Sequence, residues 1–198
     1  MTKAERTRQH IIQRVAPVFN KQGYAGTALS DIEVVSGLTK GAIYSHFGNK
    51  DNLAIACFEH NLVPLQKGLI RALSGAGNSY SRLKASINFY REHFEAVAQN
   101  GGCPLMNTSI EADDTLPFLK ERVKRAIESW RRELISLVEQ GKREGCIETN
   151  VDAGGFATSM IGMIEGGILL AKAMDDARYF HQVLDQLEQT IEKEIRRI

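Results

Sequence analysis

Three cysteines in 198 residues, Cys57, Cys103 and Cys146, are too few, too far apart and odd in number for a disulfide framework, so reduced thiols are expected. No run approaches the ~20 apolar residues of a membrane span. Met1 to Gln9 is polar and charged, without the apolar centre of a secretion signal. A cytoplasmic protein is the expectation. Sustained apolar–polar alternation is missing too, which leaves no strand and no strand-borne Gly-rich phosphate loop. The five histidines, His10, His46, His60, His93 and His181, lack metal-ligand spacing, and no internal repeat or low-complexity tract occurs. What remains, 43% hydrophobic and 25% charged residues, is the balance of a globular protein long enough for one core or two modest domains.

Charge is unevenly placed. Residues 1–52 carry seven Lys or Arg against four Asp or Glu, net +3, and the remainder carries eighteen against twenty, net −2. The asymmetry is mild, but it directs attention to the N-terminal quarter as a possible nucleic-acid surface.

Periodicity is helical almost throughout, and the fold class expected is all-α, with about nine helices: a three-helix N-terminal domain over 1–50 and a larger helical domain over 51–198. A first helix over Lys3–Gln22 places Ile11, Ile12, Val15, Val18 and Phe19 on one side, is bent by Pro17 and stops at Gly23. Thr27 is placed to cap a short second helix reaching Ser36. Gly37 ends it, and Thr39 opens a third over Lys40–Phe47. Two short helices joined through such a turn are a helix-turn-helix signature. Asn49 caps a fourth helix towards Leu73, and "SGAGNS", Ser74–Ser79, is a linker. Further helices are expected over Tyr80–Gln99, Pro104–Ala112, Pro117–Glu144, Ala153–Met174 and Ala177–Ile198. The fourth of these is apolar nearly all round and should be buried.

The stretch "LTKGAIYSHFGNKDNL" reads as a surface. At ~100° per residue, Ile43 and Phe47 face inward, Gly41, Ala42 and Ser45 lie opposite, and Tyr44 and His46 flank them. A small face between polar flanks fits a major groove. Lys40 can reach bases or phosphates, and Lys50, in the first turn of the next helix, sits where amides and dipole also favour phosphate. Thr27, Ser30 and Thr39 add hydroxyls at the starts of the two short helices. Singly, each has a plainer role: a half-buried tyrosine, a capping histidine, a solvated lysine. Their joint placement points to DNA.

"GYAGTALSDI" followed by "GLTKGAIYSHFGNKDNLA" resembles the N-terminal DNA-binding domain of the TetR family of bacterial transcriptional regulators, over the first third of the chain and without gaps. The resemblance implies a homodimeric helical repressor of a DNA operator. It implies a third helix in the major groove, a C-terminal domain that binds a small-molecule effector, and a four-helix bundle formed by the last two helices of each copy. No cofactor is implied. Tyr44, His46 and Lys50 would hold phosphates, and residues from Thr39 to Ala42 would face bases. Glu33 and Ser36 replace alanines usual in the family, and Pro17 interrupts a helix that is commonly unbroken.

"GGCPLMNTSIEADD", Gly101–Asp114, resembles a segment recurring in one subgroup of the family. It places Cys103 at a helix start, where a thiol can be activated. Two readings stay open: a thiol-based redox or electrophile sensor, or a small buried thiol. An effector pocket is expected among Phe94, Cys103, Met106, Asn107, Ile110, Glu111, Trp130, Met160 and Met163. Core packing is the alternative for each. A dimer interface is expected at Gly162 and Gly166 with the stripe Phe180, Leu184, Leu187 and Ile191, whose shelter would be a second copy. No metal site or catalytic site is expected. The remaining rival is an interaction protein that retains the helix-turn-helix without using it.

Overall fold

The computed structural model describes residues 1–197. Among them lie nine α-helices and no strand. They are α1 (Lys3–Gly26), α2 (Leu29–Ser36), α3 (Lys40–Phe47), α4 (Lys50–Ser74), α5 (Ser79–Gln99), α6 (Pro104–Ala112), α7 (Pro117–Glu144), α8 (Ala153–Ala173) and α9 (Arg178–Thr190), the last continued by a π-helical turn, Ile191–Ile195. The all-α expectation is met.

Most helix ends follow from residues beside them. Gly37 adopts φ +67°, and its N–H donates to the Glu33 carbonyl to close α2. The Thr39 hydroxyl accepts from the Ala42 N–H at the start of α3, and Asn49 Oδ1 accepts from the Asn52 N–H at 2.9 Å at the start of α4. Gly23 interrupts α1 at φ +75°, ψ 176°, so the expected stop is a break with one further turn beyond it. Two expectations are corrected. Thr27 does not cap α2: its hydroxyl donates back to the Gly23 carbonyl at 2.6 Å, and Asp31 instead accepts from the Ala28 N–H at 2.8 Å. The final helix passes into the π turn after Thr190 rather than running on evenly, and Ile198 lies outside the described residues.

Packing divides the chain into two units, and not by a cut after Lys50. The first gathers residues 1–65 with 100–125; the second gathers 66–99 with the chain from 126 onward. The first unit has a core of Ile11, Ile12, Val15, Ala16, Ile32, Ile43, Phe47, Leu53, Ala56 and Cys57, drawn from α1 to α4. Burial pushes the Cys57 thiol far up, so it stays protonated. Residues 100–125 join this unit through polar contacts. Asn107 Nδ2 donates to the Asn20 and Gly101 carbonyls, at 3.0 and 2.9 Å, and Asn20 Nδ2 donates to the carbonyls of Asn100 and Gly102.

In the second unit α8 packs on α9. Gly167 allows the approach: a Cβ there would stand 2.8 Å from the Phe180 ring. Near the chain's end, Glu192 accepts from Lys84 Nζ at 2.8 Å and from the Tyr80 hydroxyl, which holds its carboxyl down at about 2. The reading of α8 needs correcting on two counts. By length and mean hydropathy, Ala153–Ala173 is apolar enough to cross a membrane, contrary to the expectation that no run would be. Nor is it buried all round: Ala157, Met160, Ile164 and Ile168 face inward, while Leu169, Leu170 and Met174 lie open.

Candidate functional site

The surface of α3 follows from which of its residues the core claims. Ile43 is fully buried and Phe47 is buried beside it, with Arg8 stacked 4.9 Å over the Phe47 ring. This fixes the opposite face outward. Lys40, Gly41 and Ser45 are exposed, Ala42 and His46 half-buried, and Tyr44 half-buried against the core with Lys40 Nζ 5.8 Å from its ring. A Cβ built on Gly41 would meet nothing within 4 Å. Its lack of a side chain therefore serves no contact inside the chain, and the space over it is open to an approaching surface. Ser45 turns its hydroxyl onto the Ala42 carbonyl at 2.7 Å.

The remaining expected DNA contacts separate. Ser30 is exposed in the first turn of α2. Thr27 is fully buried and already donates its hydroxyl, so it is corrected from a surface contact to a structural residue. Lys50 lies at the start of α4 with Nζ donating to the Tyr24 carbonyl at 2.6 Å and standing 4.2 Å over that ring. The Tyr24 hydroxyl donates to Asp51, and burial together with that carboxylate raises the phenol to about 12.

Other residues shape this face without having been singled out for it. Glu33 accepts from the Lys40 N–H at 2.6 Å, filling one of the unpaired amides at the start of α3. Ser36 accepts from the Leu38 N–H, so the two departures from the family's usual alanines brace the turn. Arg14 Nε donates to the Val35 carbonyl at 3.0 Å, and His10 Nε2 lies 3.1 Å from the Ser36 carbonyl, fastening α1 to α2. Asp31 was not legible as a capping box, because its cap position holds Ala28 and not a hydroxyl residue.

The effector candidates are split between the units. Trp130 and Met160 share the wall of a cavity of about 370 Å³ in the second unit, with Leu69, Leu73, Arg82, Tyr90, Glu133 and Leu137. Phe94 does not line it. That ring is buried against Phe180, at 4.8 Å between centroids. Met163 is half-buried. The others lie in the first unit. Asn107 is engaged by α1, and the Glu111 carboxylate accepts from the N–H groups of Tyr24 and Ala25, at 2.6 and 2.7 Å. The space beside Glu111 is about 20 Å³, enough for water only. Ile110 is 65% exposed and Met106 half-buried, so neither lines that space. Cys103 is the N-cap residue of α6 but is 6% exposed, which favours the buried thiol over the sensor.

The dimer candidates part in the same way. Phe180, Leu184, Leu187 and Ile191 are buried within the chain itself, so the stripe on α9 is not left waiting for a second copy. Gly162 and Gly166 lie on the open side of α8, where an added Cβ would meet nothing within 4 Å.

Comparison with known proteins bears on both ends of the chain. Residues 11–57 match the family model "Bacterial regulatory proteins, tetR family", and residues 79–187 match "Tetracyclin repressor-like, C-terminal domain". The "Probable HTH-type transcriptional regulator ArpR" of Pseudomonas putida is 44% identical over 168 residues, 83% of this chain and 79% of that one. A TetR transcriptional regulator from Chloroflexus aurantiacus superposes with a TM-score of 0.95 at 36% identity, over all of both chains. One from Cytophaga hutchinsonii gives 0.92 at 36% identity, over 97% of this chain and 96% of that one. With matched models at both ends and full-length likeness in sequence and fold, the chain belongs to the TetR family of bacterial helix-turn-helix transcriptional regulators.

Proposed function

We propose that this regulator is a cytoplasmic homodimeric repressor without catalytic activity. Its two α3 helices enter successive major grooves, ~34 to 36 Å apart, on a roughly palindromic operator. The observation that carries this reading is the open face of α3, where exposed Lys40, Gly41 and Ser45 lie opposite buried Ile43 and Phe47. Thr39, Lys40, Gly41 and Ala42 approach the bases; Ser30, Tyr44, Ser45, His46 and Lys50 meet the backbone. A small molecule in the cavity beside Trp130 and Met160 favours a spacing of the reading heads that no longer fits the operator, so effector and DNA oppose each other reciprocally. The "GGCPL" segment, Gly101–Leu105, marks a subgroup within the family, and its role here is to seat the start of α6 against α1, its Gly102 carbonyl accepting from Asn20 and its Gly101 carbonyl from Asn107.

Selection of bound sequences from a random DNA pool tests this, repeated with the double variant Tyr44→Phe, Lys50→Ala and with candidate effectors. Enrichment of a palindrome that the variant loses is the expected result. Enrichment indifferent to both substitutions would move DNA binding to other residues, and the absence of enrichment would refute DNA reading and favour an interaction protein that retains the helix-turn-helix without using it.

A further inference from the structure

The cavity in the second unit holds about 370 Å³, within the range of small-molecule sites. Its wall is largely apolar and carries two aromatic rings, Tyr90 and Trp130, with centroids 6.0 Å apart. Arg82 on α5 breaks the apolar character. Its Nε is buried and has no acceptor among the described residues. Arg82 is half-buried, so the orphan is this one donor atom; a buried donor left without an acceptor is costly and rare, and calls for a partner that arrives from outside. Three other polar groups of the wall are already engaged: the Ser86 hydroxyl donates to the Leu83 carbonyl at 2.6 Å, that of Ser74 to the Ile70 carbonyl at 2.7 Å, and Gln140 Nε2 to Glu144 at 2.7 Å. Glu133, the carboxylate on the wall, is exposed. A cationic ligand would leave the Arg82 donor unmet.

We propose that the cavity takes a flat apolar anion, its aromatic body against Tyr90 and Trp130 and its carboxylate or sulfonate accepting from the Arg82 guanidinium. This rests on reading the cavity as the effector site, and names the chemical class of effector.

Trp130 is the chain's single tryptophan and lines the cavity, so its emission reports this site. The full-length protein is titrated with 8-anilinonaphthalene-1-sulfonate and with N-phenyl-1-naphthylamine, the same ring system without the sulfonate, and energy transfer from Trp130 is followed. The wild type binds the sulfonate at least ~10-fold more tightly, as expected for a charge-assisted hydrogen bond. Arg82→Gln removes that preference while holding the neutral probe within about twofold, which also shows that the variant is folded, and Arg82→Lys restores part of it. Neutral binding without preference for the sulfonate, or a sulfonate affinity indifferent to Arg82→Gln, overturns the anion assignment and leaves the effector cavity standing. Transfer to neither probe overturns both. Displacement of the probes by benzyltrimethylammonium in preference to benzoate also overturns it.

Discussion

Lys50 is placed to meet two demands at once. Its ammonium has three donors, of which one is given to the Tyr24 carbonyl at 2.6 Å, and its charge rests 4.2 Å over the Tyr24 ring. Tyr24 is itself fixed, by Asp51 at its hydroxyl and by Phe19 and Phe118 around its ring. The lysine is therefore held at the start of α4 with donors remaining for a phosphate, and the ordering entropy of its long side chain is met before DNA arrives. Lys50→Ala should weaken binding to every sequence alike and lower the slope of log affinity against log salt by about one. A slope equal to that of the wild type would remove Lys50 from the phosphate contacts and leave it as a brace for Tyr24. Glu33 shows the opposite case, a charge turned onto the protein's own backbone. Its carboxylate sits on the Lys40 amide at 2.6 Å, which supports the start of α3 where a hydroxyl cap alone would leave amides unmet.

At the scale of elements, the break in α1 and the docking of α6 form one device. Gly23 takes φ +75°, and a Cβ on it would stand 2.7 Å from the Glu111 carboxylate. The turn beyond the break presents the N–H groups of Tyr24 and Ala25 to that carboxylate. Glu111→Ala strips both of their charged acceptor. Because Glu111 is partly exposed and water can replace it in part, the expected loss is about 1–2 kcal/mol, below the full value of two charged hydrogen bonds. Urea unfolding of the full chain measures it, and Glu111→Gln, which keeps one acceptor oxygen, should recover about half. A loss under about 0.5 kcal/mol would mean that water serves equally well. Helix positions were legible because glycines, prolines and asparagines punctuate this chain: Gly37, Gly48, Pro104 and Pro117 stand at or beside the observed ends. Partners distant in sequence were not. Glu111 and Tyr24 are 87 residues apart, and nothing local to either announces the other. Thr27 misled for a related reason. A hydroxyl two residues before a helix looks like a cap, and only the fold shows that its carbonyl partner at Gly23 was nearer.

For the whole molecule, an apolar stripe tells that a face is covered and not by what. Phe180, Leu184, Leu187 and Ile191 are covered by the chain's own helices, whereas on α8 successive ~100° steps place Gly162, Gly166, Leu169 and Ala173 within about 60° of one another. On that side Leu169 is 47% and Leu170 48% exposed, and the glycines leave room for a neighbouring backbone to come close. An open face of this kind matches a two-fold interface, in which the same patch meets its own copy. Leu169→Glu sets two carboxylates near that axis and should convert the dimer to a monomer in sedimentation at about 10 µM, with helical circular dichroism unchanged. Val34→Glu, an equal change at an exposed valine on α2, should leave the dimer intact. If each head reads half of a palindrome, as proposed, the monomer loses the effective concentration that links the two contacts, and operator affinity should fall by about 100-fold or more. A wild type that sediments as a monomer, or a Leu169→Glu variant that remains dimeric, would put the interface on another face of the molecule.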